Sequence, residues 1–135
     1  MKYLEQLVET FNNEVLKLEL DKREIGIQDE AEYTLSVIQL KEEIEEFIEA
    51  HENRSVIGCV DAMIDLVYFA YGVMLKHGLS AEQINQCFSH VHDANMEKKL
   101  GVKATRVVDG APADAIKPEG WVAPEVRIAD CLGIV

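Results

Sequence analysis

A chain of 135 residues suits one domain, and 48% hydrophobic residues are enough to build a core. Its formal charge of −12, from 25 acidic and 13 basic residues, argues against nucleic acid or anionic membrane as partner and in favour of cations. Three scattered cysteines, Cys59, Cys87 and Cys131, with no CxxC pair, argue against a disulfide framework or a zinc knuckle and for a reducing, cytoplasmic setting.

The N-terminal stretch MKYLEQLVETFNNEVLKLEL has apolar residues at 4, 7, 8, 11, 15, 16 and 18, which predicts an amphipathic helix over 2–20 rather than a targeting signal. DKREIGIQDEAEY follows as a polar connection broken at Gly26. Apolar positions 35, 37, 38, 40, 44, 47 and 48 predict a second helix over 30–52, ending in HENRS. A third runs over 54–77 and closes at His77-Gly78. It is nearly long and apolar enough to span a bilayer. Asp61 and Asp65 argue against that, each costing roughly 2.5–3.5 kcal/mol at a membrane centre. Ser80, with Gln83 three residues on, opens a fourth helix by a capping box, reaching to about residue 99.

Beyond Gly101 the character changes. All three prolines fall in this last part of the chain, and four of the eight glycines lie at 101 or later. The expectation is an extended arm over 101–135 with little regular structure, apart from one strand or hairpin near Thr105–Val108. An arm of this length often packs on a partner subunit. The predicted fold is therefore all-α: a helical domain over 1–100 with a four-helix core, and a C-terminal arm over 101–135.

Two carboxylates on the greasiest helix demand an explanation. Asp61 and Asp65 lie about 40° apart around a helix, one turn above the other. Their neighbours Val60, Met63, Ile64, Leu66, Val67 and Phe69 are apolar. The second helix carries Glu42, Glu43 and Glu46 at i,i+3 and i,i+4 spacing, where like charges repel. Taken alone, such a run is a solvated face, and the two aspartates are salt-bridge partners of a neighbouring helix. Taken together, two antiparallel helices joined by a short turn bring the glutamates opposite the aspartates. Such an all-oxygen site suits Mg²⁺ or Mn²⁺ rather than zinc. A di-iron bundle needs Glu-x-x-His twice, and the chain has none. Carboxylate clusters holding two or three Mg²⁺ suit phosphate substrates, because the ions neutralise phosphate oxygens and activate water, while a glutamate takes the water's proton.

EEIEE (42–46), DAMIDLVYFAYG (61–72), VHDANMEK (91–98) and KPEGWVAPEV (117–126), in this order over roughly 35–126, resemble the all-α nucleoside triphosphate pyrophosphohydrolases. That group includes MazG, the dimeric dUTPases and phosphoribosyl-ATP pyrophosphohydrolase. The resemblance is strongest to the short MazG-like proteins of bacteriophages and bacteria. It implies cleavage of a nucleoside triphosphate and water to the monophosphate and pyrophosphate. It implies Glu43, Glu46 and Asp65 as metal ligands, with Asp61 substituting for the glutamate that many members carry where this chain has Ala62. Glu42 and Glu43 take the catalytic roles, Glu42 ligating the metal or orienting the attacking water. Asn95 and Lys98 match the subgroup's N-x-x-K, with Lys98 as a phosphate contact. The resemblance further implies a homo-oligomer, dimer or tetramer, and a deoxynucleotide substrate, leaning to a purine such as dGTP. The rival substrate is phosphoribosyl-ATP. The rival of another class is a non-catalytic acidic helical interaction module. Trp121 either covers a nucleotide or anchors the arm.

Overall fold

The computed structural model describes residues 3–134. It contains α1 (Leu4–Glu14), α2 (Glu30–Glu52), α3 (Val56–Lys76), α4 (Ala81–Met96), a short hairpin of β1 (Lys99–Gly101) and β2 (Asp114–Ile116), and α5 (Glu125–Leu132). The protein is all-α, with five helices and one two-stranded sheet among the described residues. It forms two compact units, one through Ile84 and one from Asn85 onward. The break falls inside α4, whereas the change in composition suggested residue 101.

In the first unit, α1 ends six residues short of the expected Leu20, and the expected first residue, Lys2, lies outside the described residues. The cause is a pair of asparagines. Asn12 turns its amide back onto the Val8 carbonyl at 2.9 Å, and Asn13 Oδ1 accepts the Leu20 N–H at 2.9 Å. Side chains that bond the backbone locally end helices, and the chain then passes through left-handed conformations at Lys17 and Glu19. Leu20 thereby folds back against Val8, Leu75 and Ile84, which form the buried core, with Leu18, Tyr68, Tyr71, Met74 and Leu79 packed around it. Phe11 and Tyr68 meet edge to face at 5.5 Å.

α2 and α3 form a helical hairpin. Asp29 caps α2 through the Glu32 N–H at 2.8 Å, and Ser55 caps α3 through the Gly58 N–H at 3.0 Å. Between them the chain turns at Arg54, which sits in the left-handed region at φ 54°. Near this turn the helices approach closely: a Cβ on Gly58 would lie 2.9 Å from that of Ala50. At the far end, Gly78 has φ 89°, and a Cβ there would collide with the Glu24 carbonyl. Arg23 fastens this end. Its Nη1 and Nη2 donate to Glu32 Oε1 and Oε2 at 2.7 and 2.8 Å, and Nη1 also donates to the Lys76 carbonyl.

The capping box that opens α4 is present as expected, with Ser80 N–H on Gln83 Oε1 and Gln83 N–H on Ser80 Oγ. In the second unit the arm is more regular than its composition suggested. The strands pair antiparallel with Lys99 opposite Ile116 and Gly101 opposite Asp114. They do not lie at Thr105–Val108, where the chain instead makes a 3-10 turn and a loop. α5 went unanticipated; it starts after Pro124 and stops at Gly133, whose φ of 69° closes it. Trp121 Nε1 donates to the Ala94 carbonyl at 2.7 Å, and Cys131 Sγ to Gln86 Oε1 at 3.0 Å. These bonds anchor the arm on the part of α4 that belongs to this unit. All three cysteines are free.

Candidate metal centre

α2 buries two polar side chains, Ser36 and Glu43, seven residues apart and so on one face. Ser36 is satisfied by Gln28 Nε2 at 3.0 Å. Glu43 is only 7% exposed, and its Oε2 is buried with no hydrogen-bond partner. Its neighbours are carboxylates instead. One oxygen each of Glu43, Glu46 and Asp65 lie within 4.8 Å of one another, with Glu46 exposed and Asp65 half-buried.

These groups perturb one another as crowded anions must. Burial pushes the Glu43 carboxyl up to about 7; its hydrogen bond to Glu46 adds to this, as do the charges of Glu46, Asp65 and Asp61. Asp65 is raised too, first by burial and then by the charges of Asp61 and Glu46. Among the described residues no lysine, arginine or histidine pairs with the cluster, and the three ion pairs lie elsewhere. A salt-bridged explanation of these carboxylates therefore fails. An orphaned buried oxygen among three converging carboxylates fits a hard divalent cation.

Not every expected ligand joins the cluster. Glu42 and Asp61 are exposed and outside it, Asp61 acting on Glu43 and Asp65 through its charge. Ala62, the position at which the resemblance led one to expect a glutamate, is buried. Asn95 and Lys98 belong to the second unit. There the Lys98 N–H donates to the Asn95 carbonyl at 3.0 Å, and Lys98 Nζ lies 5.2 Å from the centre of the Trp121 ring. Lys117, which the sequence reading passed over, lies 5.0 Å from the same ring. Tyr68 and Tyr71 pack on the core.

No curated protein matches the sequence. Residues 8–95 match the family model described as phosphoribosyl-ATP pyrophosphohydrolase. The match takes in α2, α3 and all three clustered carboxylates. Its helical fold and its carboxylate-bearing hairpin agree with that match, and the chain belongs to the phosphoribosyl-ATP pyrophosphohydrolase family, within the MazG-like all-α nucleotide pyrophosphohydrolases.

Proposed function

We propose that this protein hydrolyses a nucleoside triphosphate between the α and β phosphates, releasing the monophosphate and pyrophosphate, and that Mg²⁺ or Mn²⁺ is required. The observation that carries this reading is the trio Glu43, Glu46 and Asp65, with Glu43 Oε2 buried and unpartnered. These three would hold the cation, and Asp61 would add negative charge beside it. When bound, such an ion neutralises phosphate oxygens and lowers the pKa of water.

The chain's own residues supply the rest. A carboxylate beside the site accepts a proton from the attacking water. Glu42 suits that role, because it is exposed, adjoins Glu43 and is not committed to the cluster. Water oxygen bonds to the α phosphorus, the bond from that phosphorus to the bridging oxygen breaks, and pyrophosphate leaves with the electron pair. The likeness of Asn95 and Lys98 to the family's N-x-x-K segment supports Lys98 as a phosphate contact, with Asn95 near it in sequence.

For substrate we favour a deoxynucleotide of the cytoplasmic pool, with dGTP first. The family match favours a second reading, phosphoribosyl-ATP, which undergoes the same bond cleavage. We also assign a homo-oligomer, dimer or tetramer. α3 is long and apolar enough to cross a bilayer, yet only 11% of its most apolar window is buried within one chain. Ile57, Val60, Ile64 and Val67 are exposed on it, as are Leu35, Ile38, Ile44 and Ile48 on α2. Surface of this kind marks an interface, and the aspartates on α3 argue for protein rather than lipid as its cover.

The test is turnover of every ribo- and deoxynucleoside triphosphate and of phosphoribosyl-ATP, with Mg²⁺ or Mn²⁺, resolving pyrophosphate from orthophosphate. Pyrophosphate release from dGTP, abolished by chelator, is the expected result. Turnover of phosphoribosyl-ATP alone selects the second reading. Absence of any turnover, together with unchanged melting in metal and in chelator, leaves the non-catalytic acidic module.

A further inference from the structure

The second unit contains a feature opposite in charge to the rest of the chain. Lys98, Lys103 and Lys117 line one cavity of about 250 Å³ beside the β1–β2 hairpin. Its other walls are Val102, Ala104, Ala115 and Ile116, so three cations meet there with no carboxylate side chain among them. Strand pairing accounts for the convergence. Lys99 stands opposite Ile116, so Lys98 and Lys117 are the next residues along the same ladder. Gly101 lets Ile116 fold close over β1, since a Cβ there would lie 2.7 Å from Ile116 Cδ1.

Like charges opposed across a strand pair destabilise it, and the fold does little to relieve them. Among the described residues, none of the three lysines makes an ion pair. The carboxylate of Asp114, on β2, pairs with Arg106 at 3.1 Å, and Lys103 acts on it only through its charge. Trp121, fixed by its bond to the Ala94 carbonyl, holds the Lys98 and Lys117 ammonium groups 5.2 and 5.0 Å from its ring centre. An aromatic face orients a cation without neutralising it.

In a chain with a formal charge of −12, three gathered and unneutralised lysines are a site for something strongly anionic. We infer that Lys98, Lys103, Lys117 and Trp121 form a binding site for a di- or triphosphate group, one that needs no metal ion. Lys98 is the phosphate contact assigned above. The new site stands on Lys103, Lys117 and Trp121, and it does not depend on the carboxylate cluster. Free pyrophosphate and the phosphate tail of a nucleotide present the same chemistry to it.

Trp121 is the chain's one tryptophan, and its ring lies against Lys98 and Lys117 of the cavity wall, so its fluorescence reports what these two lysines bind. The experiment titrates the full protein, in chelator and at constant ionic strength, with pyrophosphate, with dGTP, with a nucleoside monophosphate and with chloride. Saturable changes with pyrophosphate and dGTP, and weak or absent ones with monophosphate and chloride, are expected. Affinity for pyrophosphate alone identifies a site for the free anion, and affinity for both identifies a tail-binding site. Lys103→Gln and Lys117→Gln should each weaken binding about ten- to a hundredfold. Lys117→Arg should retain it, and Glu46→Gln should bind as wild type. Thermal melts of each variant separate lost folding from lost binding. The proposal is overturned if chloride reproduces the signal, if both glutamine variants, folded, bind as wild type, or if binding disappears in Glu46→Gln.

Discussion

α2 carries two inward-turned glutamates, Glu32 and Glu43, whose protons are held in opposite ways. Both oxygens of Glu32 are matched by the Arg23 guanidinium, and Gln28 donates to it as well. The Arg23 bond holds its carboxyl below the ordinary value despite the cost of burial. Glu43 lies three turns further along the same helix and finds only Glu46, Asp61 and Asp65, so its carboxyl is pushed up to about 7. The first ion pair is closed within the protein and helps hold the hairpin's end. The second group is left open, and the proposed function makes it the place for a cation that the chain does not itself supply. A buried charge is informative about function only once its partners have been counted.

The sharpest test of that contrast is turnover. Asp65→Asn and Glu46→Gln should each lower pyrophosphate release by about a hundredfold or more, because each removes a charge that would hold the cation. Glu32→Gln should leave turnover near wild type below its lowered melting temperature. Equal losses in all three would erase the distinction.

Stability should show the next largest effect, with opposite signs. Arg23→Met leaves Glu32 partly buried and unpaired and should destabilise by about 3 kcal/mol, read by denaturant titration. Glu43→Gln in chelator should instead stabilise at pH 8, by relieving burial and repulsion.

A comparable change should appear with pH. The folded state holds the Glu43 proton up to about pH 7, against an ordinary value of 4.5. Its contribution to stability is present below pH 4.5 and is lost as pH rises through about 7. Glu32 behaves oppositely: its contribution is present above 4.5 and is lost as pH falls through its lowered value. Melting in chelator should therefore decline between pH 5 and 7.5, and Glu43→Gln should flatten that decline.

Asp61 should give the smallest effect. It is exposed and acts only through its field. Asp61→Asn should change kcat/KM by no more than about fivefold. A loss as large as that of Asp65→Asn would return it to the ligand set.

How much of this was legible depends on how local the cause is. α2 and α3 could be read from apolar period and polar punctuation, and the Ser80–Gln83 capping box from two residues three apart. The choice of Glu43, Glu46 and Asp65 was implied by the family resemblance, and that the glutamates of α2 face the aspartates of α3 followed from helical spacing, given a short turn. The difference between Asp61 and Asp65 did not, since it depends on how far α3 is rotated against α2. The early end of α1 was written in Asn12-Asn13 and missed because the apolar period runs on past it. α5 had its own marks, Pro124 before it and Gly133 after it. The β-hairpin was hidden because its strands are separated by twelve residues and are three residues long. Lys103 and Lys117 meet Lys98 only through that pairing, which no local pattern announces.

The turn at Arg54 has a consequence for how the carboxylate cluster is encoded. Glu43 stands eleven residues before it and Asp65 eleven after, so the two come level because the chain is counted equally in both directions. The cluster is thus specified by length as much as by composition. One residue inserted after Arg54 would leave every carboxylate in place in the text, yet turn α3 by about 100° and carry Asp65 off its face. Along this hairpin, substitutions tune the cluster, whereas an insertion or deletion erases it.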